Sequence, residues 1–153
     1  MNNTLPIRLF IEPVLHAPCE LVIDFSNLSE IVELMLLTMD ANRGIGLAAN
    51  QVGIPKQICV INLENKTKLM GLVNPRIIRY SKDKAIELEG CLSAPGISVN
   101  VKRPLWVEAE AQLLSGEKVS YRFEGFDCRV FMHEYFHLQG RMITDDVKNI
   151  VRK

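Results

Sequence analysis

The residues best equipped for chemistry are His133, Glu134 and His137, in the run His133-Glu134-Tyr135-Phe136-His137. On a helix, residues four apart return to nearly the same face, so the two imidazoles can share one metal ion. Glu134 follows His133 by about 100° around the axis. Its carboxylate then lies beside a bound ion and can handle the protons of a water without being a ligand. Two histidines at this spacing also suit a partly buried helix face, so the pentapeptide alone does not fix a metal site. The third ligand decides the matter. Zinc proteases with this signature take it downstream of the second histidine. Here sixteen residues follow His137, and they contain no His, Cys or Glu. Asp145 and Asp146 are the candidates on that side. The stronger choice lies upstream, at Cys91 in Glu89-Gly90-Cys91-Leu92-Ser93.

These residues need rigid elements behind them. Leu28, Ile31, Val32, Met35, Leu36 and Met39 follow the i, i+3, i+4, i+7 spacing of an amphipathic helix, with Ser26 or Asn27 to cap it and Gly44 to stop it. The run Gly44-Ile45-Gly46-Leu47-Ala48-Ala49-Asn50-Gln51-Val52-Gly53 comes next, small enough for a backbone to pass close to something else. It follows a helix and lacks Lys-Ser/Thr, so it is not a phosphate cradle. A packing loop or the wall of a small-molecule site remains, and Gln51 stands out because its amide offers both donor and acceptor in an otherwise apolar stretch. Gln57 to Leu63 reads as a strand, and Leu69 to Val73 as a short one ended by Asn74-Pro75. Ile97 to Val101 alternates, and so do Leu105 to Leu113 and Val119 to Phe123, joined by a Ser115-Gly116 turn. Gly125 breaks that strand, and Phe126 to Leu138 forms the histidine helix, stopped by Gly140. The expected fold is α+β: antiparallel sheets packed around a C-terminal metal-binding helix, with an N-terminal amphipathic helix, in one domain over residues 1–153.

Composition narrows the function classes. The chain has 153 residues, enough for one core, and Lys plus Arg equals Asp plus Glu at 18 each. Nothing in that balance attracts nucleic acid or an anionic membrane. No apolar run approaches a membrane span, and the first residues lack a signal-peptide pattern. Cys19, Cys59, Cys91 and Cys128 lie far apart, which suits core thiols and one ligand in a reducing cytoplasm. His16, between Leu15 and Ala17, reads as a surface or structural histidine.

Three stretches together resemble the peptide deformylase family: Gly44-Ile45-Gly46-Leu47-Ala48-Ala49-Asn50-Gln51, Glu89-Gly90-Cys91-Leu92-Ser93 and His133-Glu134-Tyr135-Phe136-His137. Each motif alone is modest, but their order and separations match over nearly the whole chain. The resemblance implies a metallohydrolase that removes the formyl group from formyl-methionyl peptides or nascent chains. Cys91, His133 and His137 would hold one divalent ion, Fe2+ in the native protein with Zn2+, Ni2+ or Co2+ as substitutes, and leave a fourth position for water. Glu134 would carry protons, and the Gln51 amide and Leu92 backbone N–H would hold the oxyanion. Gly46 would align an extended substrate, with Ile45, Phe126 and Val130 around the methionine side chain. Transient ribosome association stays open, since many bacterial members use a C-terminal extension for it and only a short tail follows the metal helix here.

One position departs from the family pattern. Phe136 replaces the usual Asp before the second histidine, where the family's carboxylate is expected to pair with an arginine matching Arg103. Arg103 is then solvated, finds another partner, or lies across the Phe136 ring, the last being the favoured reading. Arg129, one turn before His133, reads as a solvated charge near the pocket mouth. Two other functions fit less well: an HExxH metallopeptidase, which lacks its downstream ligand here, and a catalytically inactive metal-binding domain.

Overall fold

Ile58–Leu63 (β2) shows how the chain is built. Every second side chain faces the opposite way, and β2 is apolar and buried on both sides. Ile58 and Val60 join a cluster with Val32, Met35 and Met39 of Leu28–Ala41 (α1). Cys59, Ile61 and Leu63 join another with Phe131, Met132 and Leu138 of Gly125–Leu138 (α2). The two helices therefore cover opposite faces of one sheet. Each fully buried aliphatic side chain there contributes about 1.5–3 kcal/mol of transfer free energy.

The computed structural model describes residues 3–152. The remaining strands are Gly46–Ala48 (β1), Lys68–Tyr80 (β3), Lys84–Gly90 (β4), Ile97–Pro104 (β5), Trp106–Gln112 (β6), Lys118–Glu124 (β7) and Ile150–Arg152 (β8). They form a five-stranded sheet in the order β1-β2-β3-β6-β7 and a three-stranded sheet in the order β4-β5-β8. All the pairings between these strands are antiparallel. The α+β architecture with a helix carrying the histidines is the one expected from the sequence.

Several boundaries differ. Asn27 precedes α1 without a side-chain cap, and Asn42 closes the other end, the Gly44 N–H then donating to the Met39 carbonyl at 2.9 Å. The Gly44–Gly53 run is not a bare loop but holds β1 and a 3-10 turn over Ala49–Val52. Asn74-Pro75 does not end a strand. β3 runs through it with a shifted register between Val73 and Arg76. Pro75 falls at that irregularity, where its missing N–H removes no ladder bond. Asn74, at φ 51°, turns its amide to bond both the N–H and the carbonyl of Val22, at 2.8 and 3.0 Å.

The C-terminal end of α2 is pinned to the N-terminal segment. Cys19 N–H donates to the Leu138 carbonyl at 2.9 Å, and the Gln57 amide donates to Cys19 and Leu138 carbonyls. Gly140, at φ 78°, follows at once, and a β-carbon there would lie 2.6 Å from the Ala17 backbone. Only glycine fits both the left-handed turn and the contact. None of the described helices is long and apolar enough to cross a membrane.

Candidate active site

Helix α2 presents His133 and His137 on one face, as their spacing requires. The Nε2 atoms of the two rings lie 3.2 Å apart, and Cys91 Sγ lies 3.3 Å from His137 Nε2. All three donor atoms fall within 4.8 Å of one another. An ion with bonds of about 2.0–2.3 Å at tetrahedral angles keeps neighbouring donors about 3.3–3.6 Å apart, so the set fits a metal. Cys91 arrives from the loop after β4, which is why two distant parts of the chain must meet here. The other cysteines are core thiols; burial pushes Cys19 and Cys128 up to about 11.

Glu89 is the residue that sequence reasoning missed. It is 8% exposed, and its two oxygens accept four hydrogen bonds. Oε1 takes His133 Nδ1 at 2.7 Å and Arg103 Nη2 at 2.9 Å; Oε2 takes Arg103 Nε at 3.0 Å and Arg129 Nη1 at 2.6 Å. Burial opposes its charge, but the bonds from His133 and Arg103 hold the carboxyl well below the usual carboxylate range. The bond to Nδ1 fixes the His133 ring and leaves Nε2 for a metal. Burial also opposes charge on His133, and Cys91, Glu89 and Glu134 overcome it, raising the imidazole to about 10 in the metal-free protein. A metal must displace that proton. His137 stays neutral, its pKa held well below the ordinary value by burial and by the charges of His133 and Arg103.

Arg129 is not a solvated charge. It is buried, with Nε on Glu87 at 2.9 Å, Nη1 on Glu89, and further bonds to the Val101 and Ala85 carbonyls. A helix turn facing β4 desolvates it, and strand β4 was invisible in the sequence. Arg103 lies with its guanidinium carbon 5.1 Å from the Phe136 ring centroid, as favoured, but it also finds a partner in Glu89. Arg141 covers the same ring at 5.4 Å.

The predicted cleft residues come together. Ile45, Gly46, Phe126 and Val130 line one cavity of about 450 Å³ with Gln51, Cys91, Leu92, His133 and Glu134. His137 sits behind them, 1% exposed. Leu88 and Phe126 stand at the mouth, 59% and 61% exposed. The cleft opens between β1 and β4, each an outermost strand of its sheet. The side-chain oxygen Oε1 of Gln51 accepts from Ala48 N–H at 2.9 Å, which turns Nε2 to Ser93 Oγ at 3.1 Å and Cys91 Sγ at 3.5 Å. Glu134 is 3% exposed and its Oε1 has no hydrogen-bond partner. Burial pushes its carboxyl up to about 7. A β-carbon on Gly46 would sit within 2.9 Å of Glu134 Cγ and Cδ, so that glycine makes room for the carboxylate. Asn50 ties the loop to α2 by donating to the His137 carbonyl at 2.6 Å.

This arrangement can bind a metal, activate a water and hold an oxyanion. The polypeptide deformylase family model matches residues 4–153. The peptide deformylase of Finegoldia magna is 40% identical over 145 residues, covering 94% of this chain and 90% of that one. A peptide deformylase of Thermotoga maritima is 37% identical over 142 residues, covering 92% and 85%. Among solved structures, the crystal structure of peptide deformylase from Thermotoga maritima superposes with a TM-score of 0.89 at 36% identity, over 93% of this chain and 96% of the other. That from Synechococcus elongatus, in complex with actinonin, gives 0.87 at 37% identity, over 92% and 77%. On matched motifs, sequence and fold, the chain belongs to the peptide deformylase family.

Proposed function

We propose that the cleft residues share the work of deformylation as follows, in a single catalytic domain. As a member of its family, the chain is a hydrolase that removes the N-terminal formyl group from nascent peptides. The observation carrying the assignment of roles is the convergence of Cys91 Sγ, His133 Nε2 and His137 Nε2 beside an unpartnered, buried Glu134. A divalent ion held by those three donors, Fe2+ in the native protein, supplies Lewis acidity and a water acidic enough to react near neutral pH. Zn2+, Ni2+ or Co2+ suit the same donors.

Glu134 takes a proton from the attacking water at its free oxygen and returns it to the leaving amine, a double task suited to a carboxyl near 7. The amide of Gln51 donates to the developing oxyanion, a contact worth about 3 kcal/mol of barrier. Its orientation is held by Ala48 and Ser93. The Leu92 backbone N–H is the second donor. The substrate lies extended between β1 and β4 along Gly46, in the manner of an added strand. Ile45, Phe126 and Val130, with Leu88, take the methionine side chain. Substrates arrive as formylated nascent chains in the cytoplasm, where any ribosome association is transient.

The test compares formate release from a formyl-methionyl peptide with acetate release from its acetyl counterpart. The expected result is release of formate with a preference of several orders of magnitude. Cleavage of internal peptide bonds would favour a peptidase, and no turnover of the metal-loaded protein would favour an inactive binding domain.

A further inference from the structure

Gly46 backs onto Glu134 at the inner end of the cleft, and Arg43, three residues earlier, stands on the exposed rim. Of the charged residues lining the cleft, Glu89, Arg129 and His133 satisfy one another, and Glu134 belongs to the reacting centre. Arg43 has no ion pair or side-chain hydrogen bond among the described residues. It is nonetheless firmly placed. Its own N–H donates to the Asp40 carbonyl at 3.0 Å, and the next residue's N–H closes onto Met39, which fixes it at φ 56° just past the end of α1. Beyond it the cleft adjoins a cavity of about 330 Å³ that carries Lys66 and, as the one acid, Asp40. Neither Asp40 nor any other acid among the described residues pairs with Arg43.

An extended chain advances about 3.3 Å per residue. A peptide whose formyl group sits at Glu134, and which leaves along the wall formed by residues 46 to 43, therefore brings its second and third residues abreast of Arg43. The opposite side of the mouth offers Leu88 and Phe126, both apolar. Among the described residues lining the cleft itself, the charge left without a partner at the mouth is thus positive.

We propose that Arg43 is a specificity-determining residue, which selects formyl-methionyl substrates bearing a carboxylate on the second or third residue. This rests on the reading of the cleft as the deformylase site. An exposed pair of this kind changes affinity by about two- to fivefold at low ionic strength. It acts on binding, so the preference lies in KM and leaves kcat alone.

The experiment measures kcat and KM for formyl-methionyl tripeptides with Glu, Gln or Lys at positions two and three. Each is made as the C-terminal amide and as the free acid, which separates a side-chain carboxylate from a terminal one. For the wild-type protein the expected order in kcat/KM among the amides is Glu, Gln, Lys, with a ratio of about two- to fivefold between Glu and Gln that fades near 1 M salt. In Arg43→Gln the ratio should fall to one, and in Arg43→Glu the order should reverse. Equal wild-type rates on Glu and Gln amides would overturn the proposal, and so would a ratio that survives Arg43→Gln. A preference confined to the free acids would assign Arg43 to the peptide terminus and overturn the side-chain selection. Turnover of the neutral amide would leave the deformylase reading standing in each of these cases, whereas no turnover of any peptide would overturn both.

Discussion

Replacing Glu89 by Gln is the sharpest test of how this site is held. The carboxylate occupies its four acceptor positions with His133, Arg129 and two donors from Arg103, at 2.6–3.0 Å. Glutamine has the same shape but only one oxygen. If that oxygen stays with His133 and Arg103, the amide nitrogen points at donors of Arg103 and Arg129. Two guanidiniums lose their buried counter-charge, and removing one partner of a buried pair costs about 3–5 kcal/mol. The bond orienting His133 persists in weakened form, so metal affinity should fall about 10–100-fold. Two measurements check this: denaturant unfolding of the metal-free protein, and competition of the folded protein with a chelator. The pH dependence gives a third. Because the folded carboxyl is held below its usual value near 4.3, its contribution is fully present above that value and is lost as pH falls towards the folded pKa. The variant should lose that part of the acid slope. Unchanged metal affinity together with an unchanged acid limb would refute the assignment of Glu89 as the support of His133.

Glu134→Gln should retain stoichiometric metal by elemental analysis and lose turnover. In the wild type, kcat/KM should fall by about tenfold per unit once pH is well below 7, because the base becomes protonated; a profile flat down to pH 5 would remove Glu134 as that base. Gly46→Ala places a methyl group on the Glu134 side chain, so kcat should drop by at least about tenfold with metal retained. Phe136→Asp puts a carboxylate between Arg103 and Arg141. It should keep its metal and lose less than about tenfold in kcat, a change below about 1.4 kcal/mol in the barrier.

The chemistry was largely legible in the sequence because it is local or motif-borne. Spacing alone puts His133 and His137 on one helix face, and the 3.6-residue period of Leu28 to Met39 gives α1. Alternation gives β6 and β7, since each has one face in the core. What the sequence did not yield depends on partners far along the chain. β4, at the edge of its sheet, mixes Glu and Ala with exposed Ile86 and Leu88, so it carries no burial pattern. Without β4 there was nothing to desolvate Arg129, and its reading as a solvated charge followed from that gap. Asn74-Pro75 reads locally as a strand end; only the pairing of β3 with β6 and the side-chain bonds to Val22 carry the strand through it. Glu89 could be seen as part of a motif, but nothing in its neighbours says that Arg103, Arg129 and His133 will close around it. A buried carboxylate has meaning only through the charges that tertiary packing brings to it. The sequence by itself determined the candidate donor atoms and the helix that carries two of them, whereas the fold decided what holds those atoms in place.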